Sequence, residues 1–187
     1  MSELKFERRS EQDYLQGELS SEQRYEYVAG QVFAMAGAGE VHNLIAGNIF
    51  SKLREFARGT PCRVFIADMK LHVKTWQAYY YPDIMVACDP SDNHNLYKER
   101  PSLVIEVLSP STERTDRREK MLAYRILPEL REYVLVATDQ RHVEIYHRDA
   151  QDDWLLTAVN LDAPIVFASM KKSLTLDEIY EDVKLES

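Results

Sequence analysis

The sequence predicts a mixed α/β fold, of the α+β kind, in which helices flank a central β-sheet. Apolar residues recur at helical spacing from Val41 to Leu53. Short segments rich in Val, Ile, Tyr and Phe follow as far as Leu108, and hydroxyl side chains at 111–115 then offer caps for a second helix that Pro128 stops. This order of elements in 187 residues predicts a single domain over 1–187.

The first part of the chain is predicted to contain a short helix, a hairpin and a long helix. Ser10, followed three residues later by Asp13, is typical of the capped start of a short helix. RYEYVAGQVFAM predicts two short strands that turn at Ala29-Gly30. The long helix begins near Glu40 and carries His42 in its first turn.

Four strands are predicted after the long helix. CRVFIAD and MKLHVKTW are typical of a strand pair, and AYYYPDIMVA is typical of a third strand. PSLVIEVLSP is apolar almost throughout, which predicts a central strand. The polar segment DPSDNHN between the third and fourth strands is predicted to be an exposed turn.

The last third of the chain is predicted to be a strand meander followed by a short helix. The three strands of the meander are REYVLVAT, HVEIYHR and DWLLTAV. Thr175 and Glu178 form a capping-box pattern, which predicts the start of the last helix.

The composition excludes several classes of protein. Charged residues make up 29% and hydrophobic residues 45% of the chain, which is ordinary for a globular protein. Apolar runs stay below the roughly 18 residues that a membrane span needs, and the N-terminal MSELKFERRSEQ lacks the apolar segment of a signal peptide. We therefore expect a cytoplasmic protein with no membrane partner.

The net charge limits how the protein could bind nucleic acid. A formal charge of -8 and a pI near 5.2 argue against binding over the whole surface, because Lys and Arg supply most of the affinity for phosphates. A local basic face is compatible with this charge, and RTDRREKMLAYR in the second long helix has the densest positive charge. Its basic residues are Arg114, Arg117, Arg118, Lys120 and Arg125. The alternative is a solvated helix face with compensating acids.

The two cysteines are predicted to have structural rather than chemical roles. Cys62 and Cys88 cannot make a disulfide framework, and neither lies in a CxxC pattern. We interpret both as small hydrophobic residues beside or within strands.

Two acids interrupt apolar strands. Asp83 precedes IMVA, and Glu106 interrupts LVIEVL. Consecutive strands are usually neighbours, so the two carboxylates are expected to converge. Converging carboxylates raise each other's pKa unless a cation neutralises them. Mg²⁺ is the natural partner, because it prefers oxygen ligands and often uses one or two carboxylates with water and phosphate.

A third feature lies in the helix after Glu106. Asp116, Lys120 and Tyr124 are spaced at i, i+4 and i+8, so they line one helical face. If this face looks toward the sheet, Lys120 could orient a water molecule or stabilise developing negative charge. The alternative from spacing alone is an ordinary helix salt bridge between Asp116 and Lys120.

Taken together, these segments resemble the Uma-two family within the PD-(D/E)XK nuclease superfamily. The resemblance is carried by YEYVAGQVFAMAG with His42 behind it, YPDIMV, LVIEVLSPST, and a D-x-x-x-K-x-x-x-Y pattern. It implies a restriction-endonuclease-like core, with a central mixed β-sheet flanked by helices. It also implies a divalent metal, Mg²⁺ or Mn²⁺, and hydrolysis of phosphodiester bonds in DNA.

The resemblance assigns catalytic roles to specific positions. Asp83 matches the PD aspartate and Glu106 the (D/E) position, and both are implied metal ligands. The lysine that usually follows two residues after the second acid is absent, since Leu108 stands there. Lys120 matches a lysine relocated to the following helix, in agreement with its helical face.

Further acids and a histidine are weaker candidates. Glu26 matches an early glutamate of related nucleases, where it is a metal ligand or holds water; the alternative is an exposed strand acid. His42 matches a recurrent family histidine, and the alternative is a capping or packing role. Asp68 begins the sequence Asp68-Met69-Lys70, which imitates a D-x-K motif but lies before the PD strand instead of after it. We therefore interpret Asp68 as a charge at a strand edge that could still lie near the site.

Tyr79, Tyr80 and Tyr81 could stack on nucleobases, but strand packing or a dimer contact is favoured.

Three functions are compatible with these residues. The first is a DNA endonuclease that uses Asp83, Glu106 and Lys120, with Glu26 in support, and that acts as a homodimer to cut both strands. The second is a non-catalytic nucleic-acid-binding or assembly module that keeps the fold. The third is a Mg²⁺-dependent hydrolase of another phosphoester. The intact acid and lysine set favours an enzyme.

Overall fold

The computed structural model describes residues 8–35, 37–159 and 163–185. It confirms the predicted fold class, because the described chain forms mixed sheets flanked by helices. Within these ranges, every helix is too short or too polar to cross a bilayer.

The predicted elements occur in the predicted order, together with three short strands that the sequence did not predict, at residues 97–98, 165–167 and 172–174. The helices are α1 (Glu11–Glu18), α2 (Glu40–Phe56), α3 (Glu113–Thr115), α4 (Met121–Arg125) and α5 (Leu176–Ile179). The strands are β1 (Tyr25–Val28), β2 (Gln31–Ala34), β3 (Arg63–Ile66), β4 (Lys70–Val73), β5 (Ala78–Tyr80), β6 (Ile84–Ala87), β7 (Tyr97–Lys98), β8 (Pro101–Val107), β9 (Glu132–Val136), β10 (Val143–Arg148), β11 (Trp154–Val159), β12 (Ile165–Phe167) and β13 (Lys172–Leu174).

Local signals in the sequence set several element boundaries. The Ser10 hydroxyl accepts a hydrogen bond from the Asp13 N–H at the start of α1. Thr175 and Glu178 form both hydrogen bonds of a capping box at α5. The β1–β2 hairpin turns through Ala29 and Gly30, which both have positive φ angles, and a two-residue turn of this kind matches the twist of the strands.

Two main sheets carry the fold. The larger has six strands in the order β11-β10-β9-β8-β6-β3, and β8 is central, antiparallel to β6 and parallel to β9. The smaller has five strands in the order β2-β1-β5-β4-β7. The strands β12 and β13 form a separate hairpin.

Alternation along β8 separates two hydrophobic cores. Leu103 and Ile105 pack with the apolar face of α2 on one side of the larger sheet. Val104 packs on the other side, with Met85 and Tyr124, toward the smaller sheet. Glu106 has the same parity as Val104, so its side chain belongs to this second side.

The predicted pairing of the first two strands is wrong. β3 pairs with β6 in the larger sheet, whereas β4 pairs with β5 and β7 in the smaller sheet. The predicted third strand is also divided, into β5 and β6, and the chain passes from one sheet to the other at residues 81–83. Pro82 explains the break, because proline has no N–H to continue a hydrogen-bonded ladder.

The second long helix is not uniform. The chain forms α3, then a π-helical turn at Asp116–Lys120, then α4. We call residues 113–125 the site helix. A π turn within a helix is uncommon and is often found at functional sites.

The interpretation of the cysteines is wrong, because Cys62 and Cys88 form a disulfide. The cause is strand register: Arg63 pairs with Ala87, which brings residues 62 and 88 opposite each other.

The segment DPSDNHN is not exposed throughout, as the sequence predicts it to be. Its Asp92 is buried and accepts hydrogen bonds from the Glu99 and Arg100 N–H groups.

Glu132 is predicted to stabilise the fold by holding the turn of the β12–β13 hairpin. Its buried carboxylate accepts hydrogen bonds from the N–H groups of Ala168, at 2.8 Å, and Ser169, at 2.9 Å. We expect Glu132→Ala to lower the free energy of unfolding by about 2 kcal/mol, because both donors lose their acceptor. Urea unfolding measures the change. Exposed Glu22→Ala is the control, and equal stability of the two variants would contradict this role.

Candidate active site

A cleft of about 770 Å³ lies where the two main sheets meet. Both sheets, the start of α2 and the site helix supply its walls. Its five acidic residues are Glu26, Asp83, Glu106, Asp116 and Glu119, and its basic residues are Lys120 and His42. The cleft is therefore rich in negative charge.

A buried ammonium group in the wall of the cleft is surrounded by three carboxylates. Lys120 Nζ lies 3.2 Å from Glu106 Oε1, 3.3 Å from Glu26 Oε1 and 3.1 Å from Asp116 Oδ1. Tyr124 donates a hydrogen bond of 3.0 Å to the same Glu106 oxygen. One buried positive charge thus faces three carboxylates. A second cation bound nearby would be attracted by the negative charge that Lys120 leaves unneutralised.

The site helix presents these groups because its π turn lies over the larger sheet. Asp116 and Lys120 are the first and last residues of that turn, and both are buried. Tyr133 of β9 donates a hydrogen bond of 3.0 Å to the backbone carbonyl of Asp116, which fixes the turn to the sheet.

Glu26 reaches the cluster from the smaller sheet. Its Oε1 accepts a hydrogen bond of 3.1 Å from the Tyr81 N–H, at the point where the chain leaves β5. The same oxygen lies near Lys120. Glu26 therefore links the crossing between the sheets to the site helix.

Asp83 and Glu106 converge, as the sequence predicts. The Asp83 N–H donates to Glu106 Oε2 over 3.3 Å, while Asp83 Oδ2 accepts a hydrogen bond of 2.7 Å from the Val107 N–H. His42 Nε2 lies 3.1 Å from the same Asp83 oxygen. The backbone of β8 and His42 together fix the orientation of the Asp83 carboxylate.

Burial and charge shift the ionisation of these groups. Burial raises the pKa of Glu106 above its ordinary value, against the opposing effect of Lys120. Burial acts to lower the pKa of Lys120, but Glu106, Glu26 and Asp116 outweigh it and hold that pKa well above its ordinary value. Burial also acts to lower the pKa of His42, and Asp83 overcomes this and raises it.

The donor set suits a hard cation with few protein ligands. In the described ranges, no group of three or more His, Cys, Asp and Glu side chains is arranged to hold a metal ion. Asp83 and Glu106 nevertheless both line the cleft, with Glu106 Oε2 3.3 Å from the Asp83 backbone nitrogen. Asp116 Oδ1 is buried and accepts no hydrogen bond, although Lys120 Nζ lies 3.1 Å from it. Two carboxylates completed by water and phosphate are a usual set for Mg²⁺.

Two groups of candidates lie outside the cluster. Asp68 is 75% exposed and pairs with Arg24 at 3.4 Å, so it does not contact the cluster. The tyrosines 79–81 are buried and their hydroxyls donate to Glu11, Glu119 and Glu18, in chain order. Packing is therefore their role, and neither base stacking nor a dimer contact fits them.

The expected basic face is smaller than the sequence suggests. Lys120 is buried, Arg117 pairs with Glu113 and Glu144, and Arg125 lies over the Trp154 ring. On the site helix, the remaining arginines of the set, Arg114 and Arg118, are exposed.

Sequence reasoning missed one exposed aromatic residue in the cleft. Phe33 of β2 lines the cleft and is the cross-strand partner of Glu26. The predicted hairpin contained the signal, because a turn at Ala29-Gly30 fixes a register in which residues 26 and 33 face each other.

The mixed fold of sheets and helices is shared with a solved structure of a protein that is described as a putative nuclease. Over 89% of this chain and 96% of the other, the structure resembles the crystal structure described as "a putative nuclease belonging to DUF820" from Anabaena variabilis ATCC 29413, with a TM-score of 0.71 and 17% identity. At 17% identity this similarity establishes the fold alone.

The family model of Uma2, described as "Putative restriction endonuclease", matches residues 11–177. Two proteins of Synechocystis sp. (strain ATCC 27184 / PCC 6803 / Kazusa) are similar as well. "Uncharacterized protein slr1290" is 33% identical over 94% of this chain and 93% of its own length. "Uncharacterized protein sll1609" is 33% identical over 85% of this chain and 92% of its own length. The chain belongs to the Uma2 family.

Removing the central ammonium is predicted to destabilise the protein strongly. We expect Lys120→Met to lower the free energy of unfolding by about 3 to 5 kcal/mol at neutral pH, because it leaves buried carboxylates without their cation. Urea unfolding measures this loss. Lys74→Met removes an exposed ammonium and should change stability little. A Lys120 variant as stable as the Lys74 variant would show that the cluster is not charged.

The attachment of the site helix to β10 is predicted to weaken in acid. A hydrogen bond from Arg117 lowers the pKa of Glu144 below its ordinary 4.5. A lowered folded-state pKa contributes stability above 4.5, and that contribution disappears as the pH falls through the lower value. We expect Glu144→Gln to cost roughly 0.5 to 1 kcal/mol at pH 7 and nothing in strong acid. Urea unfolding across pH tests this, and a cost that is independent of pH would contradict it.

Proposed function

We propose that this protein is a metal-dependent DNA endonuclease that hydrolyses phosphodiester bonds in the acidic cleft. The observation that carries the proposal is the convergence of Asp83, Glu106 and Lys120 from three elements. Membership in the Uma2 family supports the nuclease class.

The proposed metal is Mg²⁺ or Mn²⁺, held by Asp83 and Glu106. When bound there, such an ion would polarise a phosphoryl oxygen and lower the pKa of an attacking water. Asp83 is suited to this role because Val107 and His42 fix its carboxylate. Glu106 is suited to it because Lys120 and Tyr124 hold its Oε1, while its Oε2 lies beside the Asp83 backbone, with only the long 3.3 Å hydrogen bond from that N–H.

The remaining residues of the cluster position and balance charge. Lys120 keeps its proton, so its ammonium can stabilise the negative charge that develops on the phosphate. Asp116 holds this ammonium from within the same helical turn. Glu26 faces the cleft and the ammonium, which suits it to orient a water molecule.

The charge of the cleft supports a requirement for a cation. Phosphate is repelled by a wall with five carboxylates, one lysine and one histidine. A divalent ion would offset this repulsion locally, and Arg114 and Arg118 would attract the flanking phosphates. We therefore propose that DNA binding depends on the metal. We also propose a cytoplasmic homodimer, since two sites related by a two-fold axis can cut both strands.

Two observations favour a second candidate, a non-catalytic nucleic-acid-binding or assembly module. Lys120 already neutralises part of the acid cluster, and the described residues contain no preformed three-ligand metal site. In this case the cluster would be structural, and activity would be absent although DNA could still bind.

The nuclease proposal is tested by incubating supercoiled and linear DNA with Mg²⁺ or Mn²⁺. We expect cleavage by the wild type and a loss of at least about 100-fold in Asp83→Asn, Glu106→Gln and Lys120→Met, because each removes charge at the reacting phosphate. Asp68→Asn is the matched control, since it removes an exposed acid outside the cluster. Gel electrophoresis of the DNA gives the rates.

Cleavage that survives in both acid variants would overturn the proposed site. Folded wild-type protein that binds DNA without cutting it under either metal would favour the non-catalytic module.

A further inference from the structure

Phe33 lies beside the acid cluster with its ring exposed. It pairs directly with Glu26 across the β1–β2 hairpin, so the two side chains project from the same face, with Cβ atoms about 5 Å apart. Glu26 in turn contacts Lys120. The ring therefore stands one side chain away from the proposed reaction centre.

The ring belongs to an apolar wall of the same cleft. Phe33 is 49% exposed and Ile66 is 38% exposed, and both line the cleft together with Val28 and Met35. Phe33 is on β2, at the outer edge of the smaller sheet. A single exposed apolar residue is ordinary, but several that line one cleft beside polar groups are typical of a binding surface.

The chemistry of the cleft selects the ligand for this wall. The acidic side repels phosphate except where a cation is bound, whereas a nucleobase is uncharged and has a flat face that stacks on aromatic rings. In a duplex, neighbouring bases cover that face, so it becomes available only when the nucleotide is unpaired or extruded.

We propose that Phe33 is the base-stacking residue of a subsite for an unpaired nucleotide next to the phosphodiester bond that is cut. This inference rests on the proposed function and deepens it by naming the substrate class, which is DNA with single-stranded character. The wall formed by Phe33 and Ile66 holds the base, and the acid cluster receives the adjoining phosphate.

The experiment measures binding separately from cleavage. Fluorescence anisotropy is recorded in Ca²⁺, which takes similar oxygen ligands, with three dye-labelled DNAs: a single strand, an all-abasic strand of equal length, and a blunt duplex. The proteins are the full chain, Phe33→Leu, Phe33→Tyr, and Leu155→Ala as a control for loss of an exposed apolar residue on β11. Cleavage in Mg²⁺ and mass by light scattering are measured on the same samples.

We expect the wild type to bind the single strand at least about tenfold more tightly than the abasic strand, and more tightly than the duplex. Phe33→Leu should remove this preference and leave abasic binding unchanged. Phe33→Tyr and Leu155→Ala should keep it. Base-dependent binding without cleavage would support the subsite and count against the nuclease proposal.

Four results would overturn the subsite. The wild type could bind the abasic strand as well as the normal strand, or prefer the duplex. Phe33→Leu could weaken binding of both strands equally, which would place the ring's effect on the fold or backbone. Phe33→Leu could turn a dimer into a monomer, which would place the ring at an interface between two copies.

Discussion

The arrangement of the site depends on the contact of one buried ammonium with three carboxylates. Lys120 meets an acid from the larger sheet, an acid from the smaller sheet and an acid from its own helix. Buried ion pairs are weak contributors to net stability, since desolvation offsets much of the attraction. Net stability therefore does not by itself account for the cluster. Its excess of acid over base is the property that a divalent cation and a phosphate would together satisfy.

The crossing between the two sheets creates this site. The chain leaves β5, passes Pro82 and enters β6, so Asp83 is fixed at the junction. The Tyr81 N–H, freed from strand pairing at the same point, is used to hold Glu26. Backbone N–H groups of both sheets thus fix the orientation of the acidic side chains. The hairpin that carries Glu26 also brings Phe33 to the cleft.

Local patterns predicted much of this structure, and long-range pairing accounts for the differences. Capping residues and apolar periodicity located α1, α2 and α5, and the shared face of Asp116, Lys120 and Tyr124 is the face that meets Glu106. The assignment of β3 and β4 to different sheets leaves no local trace in the sequence. The disulfide between Cys62 and Cys88 follows from the β3–β6 register, so spacing could not reveal it. The π turn is likewise in contact with a distant part of the chain, because the Tyr133 hydroxyl of β9 donates to the Asp116 carbonyl.

In the proposed function, Asp83 and Glu106 share a divalent cation while Lys120 keeps its place beside Glu106. Anomalous X-ray diffraction from crystals soaked in Mn²⁺ tests this most directly. We expect one strong manganese peak in contact with both carboxylates, which is lost in crystals of Glu106→Gln. A well-ordered site with no manganese, or a peak bound elsewhere that Glu106→Gln leaves unchanged, would contradict it.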